Sequence, residues 1–251
     1  MGISLGLLVA IFFIALVLTM LGLGGGLIFT PLFLILGYAK TDAASVSLFL
    51  NFTAAASAAY TYARKGMVDF SLSVPLIVSS CLLAPLGALV NLHIDVKPFM
   101  VALIIVLILA GWRMLTTPPP PGDYQSVDGK TKLILGSAIG SLIGFTGGML
   151  GIGGGVFIVP LLIYGVKTPT KVAAASSAFI VCFSSLAGFF SYAGAGAVDW
   201  GFLVPAALVC FVGGQAGSRI MSGGFKSKNI RRLFSLVLFL LCLKLIWQFI
   251  L

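Results

Sequence analysis

The 251-residue sequence contains no glutamate, one histidine and six acidic side chains, all aspartates (Asp42, Asp69, Asp95, Asp123, Asp128, Asp199). Only 8% of it is charged. That scarcity excludes ordinary solvated helix faces, which carry acids and bases together. Four cysteines, Cys81, Cys182, Cys210 and Cys242, lie far apart in apolar runs, so neither a C-x-x-C redox pair nor a zinc spacing exists and they read as packing residues. With no glutamate and no histidine inside an apolar segment, the chain offers no nucleophile–base pair and no metal cluster. It is not expected to be an enzyme, and no cofactor or metal is expected.

What is present is apolar: 60% of the residues are hydrophobic and the mean hydropathy is +1.18, which places the chain in a bilayer. The net charge of +9 accompanies aromatics that sit in lipid-length segments, so it reads as a membrane face and not as a nucleic-acid surface. The first 20 residues carry no Lys or Arg ahead of their apolar run and no small-residue cleavage site, and read as a structural helix instead of a signal peptide.

A spanning helix needs about 20 apolar residues. Long apolar segments lie near 3–21, 42–63, 70–91, 98–115, 133–150, 171–193, 200–220 and 230–250. Two shorter runs, near 27–38 and 156–166, follow glycine clusters. At 1.5 Å per residue they reach only about 16–18 Å, the length of half-helices. The hydrophilic stretch 116–131, with Pro118 to Pro121, Asp123, Gln125, Asp128 and Lys130, reads as a linker between 1–115 and 132–251.

These two parts are copies of one another. Leu21, Gly22, Gly24, Gly25, Gly26 and Pro31 match Leu150, Gly151, Gly153, Gly154, Gly155 and Pro160. Tyr62, Gly66, Val68, Asp69, Pro75 and Gly87 match Tyr192, Gly196, Val198, Asp199, Pro205 and Gly217. Alternation of the segments places Arg64, Lys65, Arg113, Lys130, Lys132, Lys167, Lys171, Arg219, Lys226, Lys228, Arg231 and Arg232 on one side and leaves Lys40, Lys97 and Lys244 on the other. The positive-inside rule makes the first side cytoplasmic, with 116–131 there and both termini outside. Matching loops then fall on opposite faces. The expected fold is an all-α polytopic protein of two inverted-topology repeats, each a glycine-broken helical hairpin plus three spanning helices.

Inverted repeats with interrupted helices are the pattern of secondary transporters, whose sites lie near the midplane. Gly24, Gly25, Gly26 and Gly153, Gly154, Gly155 leave backbone N–H groups open at the start of the half-helices, and Pro31 and Pro160 read as deliberate helix breaks. Two such N-termini, each carrying roughly half a positive charge, would hold an anion without a buried Arg or Lys. The next segment of each half carries Ser45, Ser47, Asn51, Thr53, Ser57 and Thr61, or Ser176, Ser177, Ser184, Ser185 and Ser191. Of these, Ser47, Asn51 and Ser177 are candidate pathway residues, joined by Gln215; interhelical hydrogen bonding is the competing role. Asp69 and Asp199 read as N-caps, and Arg219 as snorkelling to the basic interface. His93 is expected in an outer loop, and Tyr60, Tyr62, Tyr192, Trp112, Trp200 and Trp247 as interfacial anchors.

The runs Leu21-Gly22-Leu23-Gly24-Gly25-Gly26 and Leu150-Gly151-Ile152-Gly153-Gly154-Gly155, with Pro31 and Pro160, and the turns Gly66-Met67-Val68-Asp69-Phe70 and Gly196-Ala197-Val198-Asp199-Trp200, resemble the sulfite exporter TauE/SafE family over nearly the whole chain. The resemblance implies a bacterial inner-membrane permease for small anions, sulfite or organosulfonates such as sulfoacetate; it supplies no site residues. Export driven by the membrane potential is the expected activity, since no carboxylate lies within a span to relay protons. A passive anion channel and an importer are the alternatives. The partners expected are the anion and the lipid bilayer, without nucleic acid, and the oligomeric state stays open.

Overall fold

The structure, a computed structural model, describes residues 5–93, 104, 108, 111–116, 129–193 and 199–250. These residues form helices α1 (Leu5–Met20), α2 (Gly26–Ile35), α3 (Lys40–Arg64), α4 (Phe70–His93), α5 (Gly129–Leu150), α6 (Gly155–Tyr164), α7 (Thr170–Ala193), α8 (Trp200–Ser222) and α9 (Ser227–Ile250). Residues 111–116 are also helical, and no strand occurs among the described residues. Five helices, α3, α4, α5, α7 and α8, contain stretches long and apolar enough to cross a membrane. The half-helices expected from the sequence are α2 and α6, of 10 residues each.

Close backbone approach sets the packing. A Cβ added at Gly140, Gly144 or Gly148 of α5 would lie 2.6 Å from Leu76 O, 2.2 Å from Ser80 O or 2.1 Å from Ala84 O on α4. Residue numbers rise together along this seam, so α4 and α5 run parallel. Gly213 and Gly217 of α8 meet Phe12 O and Leu16 O of α1 in the same way. Small residues let helices pack where apolar burial against lipid gives no preference. Each seam joins a helix of the first half to a helix of the second, and exchanging the halves interchanges the two seams, with α3 against α7 at the centre.

Contacts sort the helix ends into two groups. At one, Lys65 Nζ donates to Ser222 Oγ, Lys132 Nζ lies 3.1 Å from Asp69 Oδ2, Ser176 Oγ accepts from Asp69 N–H, and Arg231 donates to Met114 O. All twelve basic residues assigned to one side by their loops belong to this end, called the basic end below. At the other end, Lys40 Nζ donates to Asn91 O, Asn91 Nδ2 donates to Tyr192 Oη, and Tyr38 stacks near Phe202. α1 runs parallel to α8, away from this second end, and α2 returns to it. α5 and α6 do the same from the basic end. Two hairpins therefore enter from opposite ends and meet inside.

Several details depart from the sequence reading. Tyr62 and Tyr192 are not interfacial anchors, since both are buried. They donate to Thr19 O and Gly148 O at 2.9 Å, carbonyls at the ends of α1 and α5 that also accept from the Gly22 and Gly151 N–H groups. Tyr60, Trp112, Trp200 and Trp247 are exposed, as anchors should be. Pro31 and Pro160 do not break helices; each is the sixth residue of a continuous half-helix. One missing N–H is tolerated because neighbouring helices enclose the segment, and the glycine turns upstream make the break. His93 ends α4 instead of lying in a loop. The expected linker is shorter by its last residues, since α5 starts at Gly129. Most of the 98–115 segment and residues 117–128 lie outside the described residues.

Asp69 and Asp199 cap α4 and α8 as expected, accepting from the N–H groups of Leu72 and Phe202. Burial pushes the Asp69 carboxyl upward, but hydrogen bonds from Ser71, Lys132 and the Leu72 N–H, together with the Lys132 charge, outweigh it and hold it below its ordinary value. A carboxyl depressed in the folded state stabilises fully above its unfolded pKa and loses that contribution as pH falls through its folded pKa. Asp69→Asn should flatten the acid fall of the unfolding temperature below about pH 4 in detergent; an unchanged acid limb would refute the role given to the pair. Tyr62→Phe and Tyr192→Phe should each lower stability by about 1–3 kcal/mol, with Tyr60→Phe neutral, by thermal unfolding of the same samples.

Candidate functional site

The two hairpin tips abut beside Asn51, midway along α3. A Cβ on Gly26 would lie 2.5 Å from Ile152 O, and one on Gly155 would lie 2.7 Å from Leu23 O. Gly24 and Gly153 both adopt φ above +70°. A side chain at either would also strike Asn51, so only glycine lets the chain turn this close to the amide.

Side chains of α3 and α7 hold the tips. Asn51 Oδ1 accepts from Gly25 N–H, while Nδ2 donates to Ser185 Oγ at 2.7 Å and to Ile152 O at 3.3 Å. One amide thus joins both hairpins to both central helices. Ser177 Oγ donates to Gly22 O at 2.6 Å, and Ser184 Oγ to Gly153 O at 3.1 Å. Thr30 Oγ1 donates to Gly151 O at 2.8 Å and shares a 2.8 Å hydrogen bond with Ser47 Oγ, which lies 3.2 Å from Gly26 O. Every residue of this set is buried.

The starts of the half-helices remain short of acceptors. Ile28 and Phe29 N–H turn back to Gly25 O, and Phe157 N–H to Gly154 O. Among the described residues, none accepts from the N–H groups of Gly26, Leu27, Gly155 or Val156. Neither N-cap, Gly25 or Gly154, has a side chain to supply one. Buried donors without acceptors are costly, and here the helix dipoles add partial positive charge at the same places.

The structure brings together Gly24, Gly25, Gly26, Ser47, Asn51, Gly153, Gly154, Gly155 and Ser177. It does not bring Gln215 to them. The Gln215 amide satisfies its neighbours when its nitrogen faces Ser57 and Thr61 and its oxygen accepts from Arg219 Nε at 3.2 Å, in a polar row between α3 and α8. Sequence reasoning missed Thr30, and gave Ser184 and Ser185 no specific place. Thr30 stands four residues beyond its glycine cluster, opposite Val159 in the other half, and that break in the repeat was the available signal.

An all-helical fold with five candidate spans and two glycine-turned hairpins meeting inside is that of a multi-pass membrane protein. The profile of the family described as Sulfite exporter TauE/SafE matches residues 7–245, and the chain belongs to that family. It is 28% identical to the probable membrane transporter protein YunE of Bacillus subtilis over 253 aligned residues, covering 92% of each chain. It is 29% identical to a probable membrane transporter protein of Xylella fastidiosa (strain 9a5c), covering 92% of this chain and 90% of that one. A plant relative, Sulfite exporter TauE/SafE family protein 1 of Arabidopsis thaliana, is 35% identical over 95 residues, 38% of this chain and 21% of its own. No solved structure matches. The protein is a membrane transporter of the TauE/SafE type.

Asn51→Leu should destabilise the protein by about 1–3 kcal/mol for each buried tip group it leaves unpaired. Ser185→Ala, which removes one partner of Nδ2 while Ile152 O remains, should cost less. Thermal unfolding in detergent measures both, and an Asn51→Leu protein as stable as the parent would show that the amide does not hold the tips.

Proposed function

We propose that the protein is a secondary transporter that exports a small sulfur oxyanion, sulfite or an organosulfonate such as sulfoacetate, by alternating access at the junction of the hairpin tips. The observation that carries this reading is the pair of buried half-helix N-termini, abutting through glycine and short of acceptors. Trigonal or tetrahedral oxyanions offer several acceptor oxygens at once, which suits N–H groups contributed by two helices.

In this mechanism Asn51, Ser47, Ser177, Thr30 and Ser184 hold the tips closed when no anion is bound. An arriving anion takes the open N–H groups, and the same hydroxyls and amide exchange tip carbonyls for substrate oxygens as the tips part. Entry of the hairpins from opposite ends supports an inverted-topology repeat, in which one arrangement of the halves opens one face and the exchanged arrangement opens the other. The basic end is cytoplasmic by the charge rule, in the inner membrane of a bacterium. A membrane potential negative inside then favours anion exit by about 2.3 kcal/mol per charge per 100 mV.

Proteoliposomes test this. Counterflow of labelled sulfite or sulfoacetate into vesicles loaded with the same unlabelled anion should be saturable, and chloride should not replace the trapped anion. Uptake that does not respond to the trapped anion would identify a channel instead. Asn51→Asp, which sets a carboxylate between the tips, should lower sulfite flux by roughly tenfold or more while the protein still inserts and purifies, because a like charge disfavours the anion strongly in an apolar site. Undiminished flux would remove the junction from the pathway.

A further inference from the structure

We infer that the start of α7 at the basic end is a second oxyanion subsite, a mouth that receives the anion before it reaches the hairpin tips, built on Thr168 and Thr170. Both threonines are buried, at 1% and 2% exposure, and neither hydroxyl has a hydrogen-bond partner. They flank Pro169, whose carbonyl accepts from Ala173 N–H and which has no side-chain donor or acceptor of its own. Among the described residues, none accepts from the N–H groups of Lys171 or Val172 in the first turn of this 24-residue helix. Two orphan hydroxyls thus stand beside two open backbone donors and the positive end of a helix. Lys167 and Lys171 flank them, the former exposed.

The position connects this mouth with the junction. Thr170, Ala174, Ser177, Val181 and Ser184 recur at helical spacing and share a face of α7. Along that face a Cβ on Gly22 would meet Ala174, Ser177 donates to Gly22 O, Val181 approaches Gly24 and Gly155, and Ser184 donates to Gly153 O. Thr170 is the next step of the row towards the basic end. In the closed arrangement its hydroxyl and that of Thr168 are sealed away unpaired, so an arrangement that opens this mouth and admits an oxyanion gives both a partner. The ligand then favours opening through a difference in interaction between the two arrangements. At the opposite end the repeat counterparts of Thr168, Pro169 and Thr170 are Tyr38, Ala39 and Lys40, and the Lys40 ammonium is engaged with Asn91 O. The two mouths therefore differ in chemistry.

This inference rests on the anion-transport reading, and the test separates the two. Thr168→Val and Thr170→Val keep shape and, because neither hydroxyl is bonded, remove no hydrogen bond of the folded protein. Inside-out and right-side-out vesicles containing the full-length protein would be assayed with labelled sulfite and, separately, sulfoacetate. The expected result is an unchanged or raised unfolding temperature, and a half-saturating concentration at the basic face raised by roughly tenfold, the worth of one hydroxyl donor to an anion. At the opposite face it should stay within about twofold, since that mouth does not use these residues. Unchanged half-saturation at both faces, or a fall in unfolding temperature that accounts for the kinetic change, would overturn the subsite while leaving anion transport standing. Failure of the parent protein to transport either anion would overturn the transport reading and the subsite with it.

Discussion

Everything in this fold depends on one constraint: a backbone N–H or C=O placed in an apolar solvent must find its partner within the protein. Continuous helices meet it alone, and the two hairpins do not. Where α1 stops at Met20 and α5 at Leu150, several carbonyls and N–H groups come free in the interior. The structure answers with a fixed set of side chains. Tyr62 and Tyr192 take carbonyls at the ends of the incoming helices, Ser177, Thr30 and Ser184 take carbonyls of the turns, and Asn51 takes one N–H and one C=O from different tips. At the hairpin tips, the N–H groups of Gly26, Leu27, Gly155 and Val156 stay without an acceptor among the described residues. Side chains thus reach carbonyls in both turns, while the first donors of both half-helices are left open.

The same constraint explains why the hairpins pack where they do. A broken segment facing lipid would leave those groups to hydrocarbon, so both tips are enclosed by α3 and α7, whose buried faces carry the serines and the asparagine. The outer seams, α4 against α5 and α1 against α8, need no polar clasp. They rely on glycines that bring backbones together, and each hairpin is thereby fastened to a helix of the opposite half. Connectivity and packing are interleaved, so neither sequence half is a mechanical unit by itself.

Much of this was legible in the sequence, because the signals were coarse and repeated. Of the eight long segments that length and hydropathy marked, five form helices long and apolar enough to cross and the first forms only the 16-residue α1; two glycine clusters followed by short apolar runs gave the half-helices, and loop charges sorted the helix ends as the contacts do. Side-chain roles were harder to read. Tyr62 and Tyr192 resemble interfacial aromatics, since a tyrosine near a helix end is ambiguous until it is known whether that end faces water or a neighbouring helix terminus. Pro31 and Pro160 looked like breaks because a proline interrupts one hydrogen bond, but one missing bond inside a packed half-helix costs less than unwinding it. The Asp69–Lys132 pair joins residues from different halves, and no pattern along the chain could have paired them.

The departures from symmetry say most about the site. Asn51 in the first half stands opposite Val181 in the second, Thr30 opposite Val159, and Ser185 opposite Ala55. The backbone frame obeys the repeat while its polar contents do not, so the junction has one amide bridging two tips instead of two amides competing for the same space. Two asparagines would place a second donor–acceptor pair against glycines that already leave no room for a Cβ. A single bridging amide satisfies both tips while Val181 fills the matching position with apolar volume. The price is a junction whose two sides are chemically unequal, with the amide and Thr30 on the side of the first half and apolar Val181 and Val159 at the matching positions of the second.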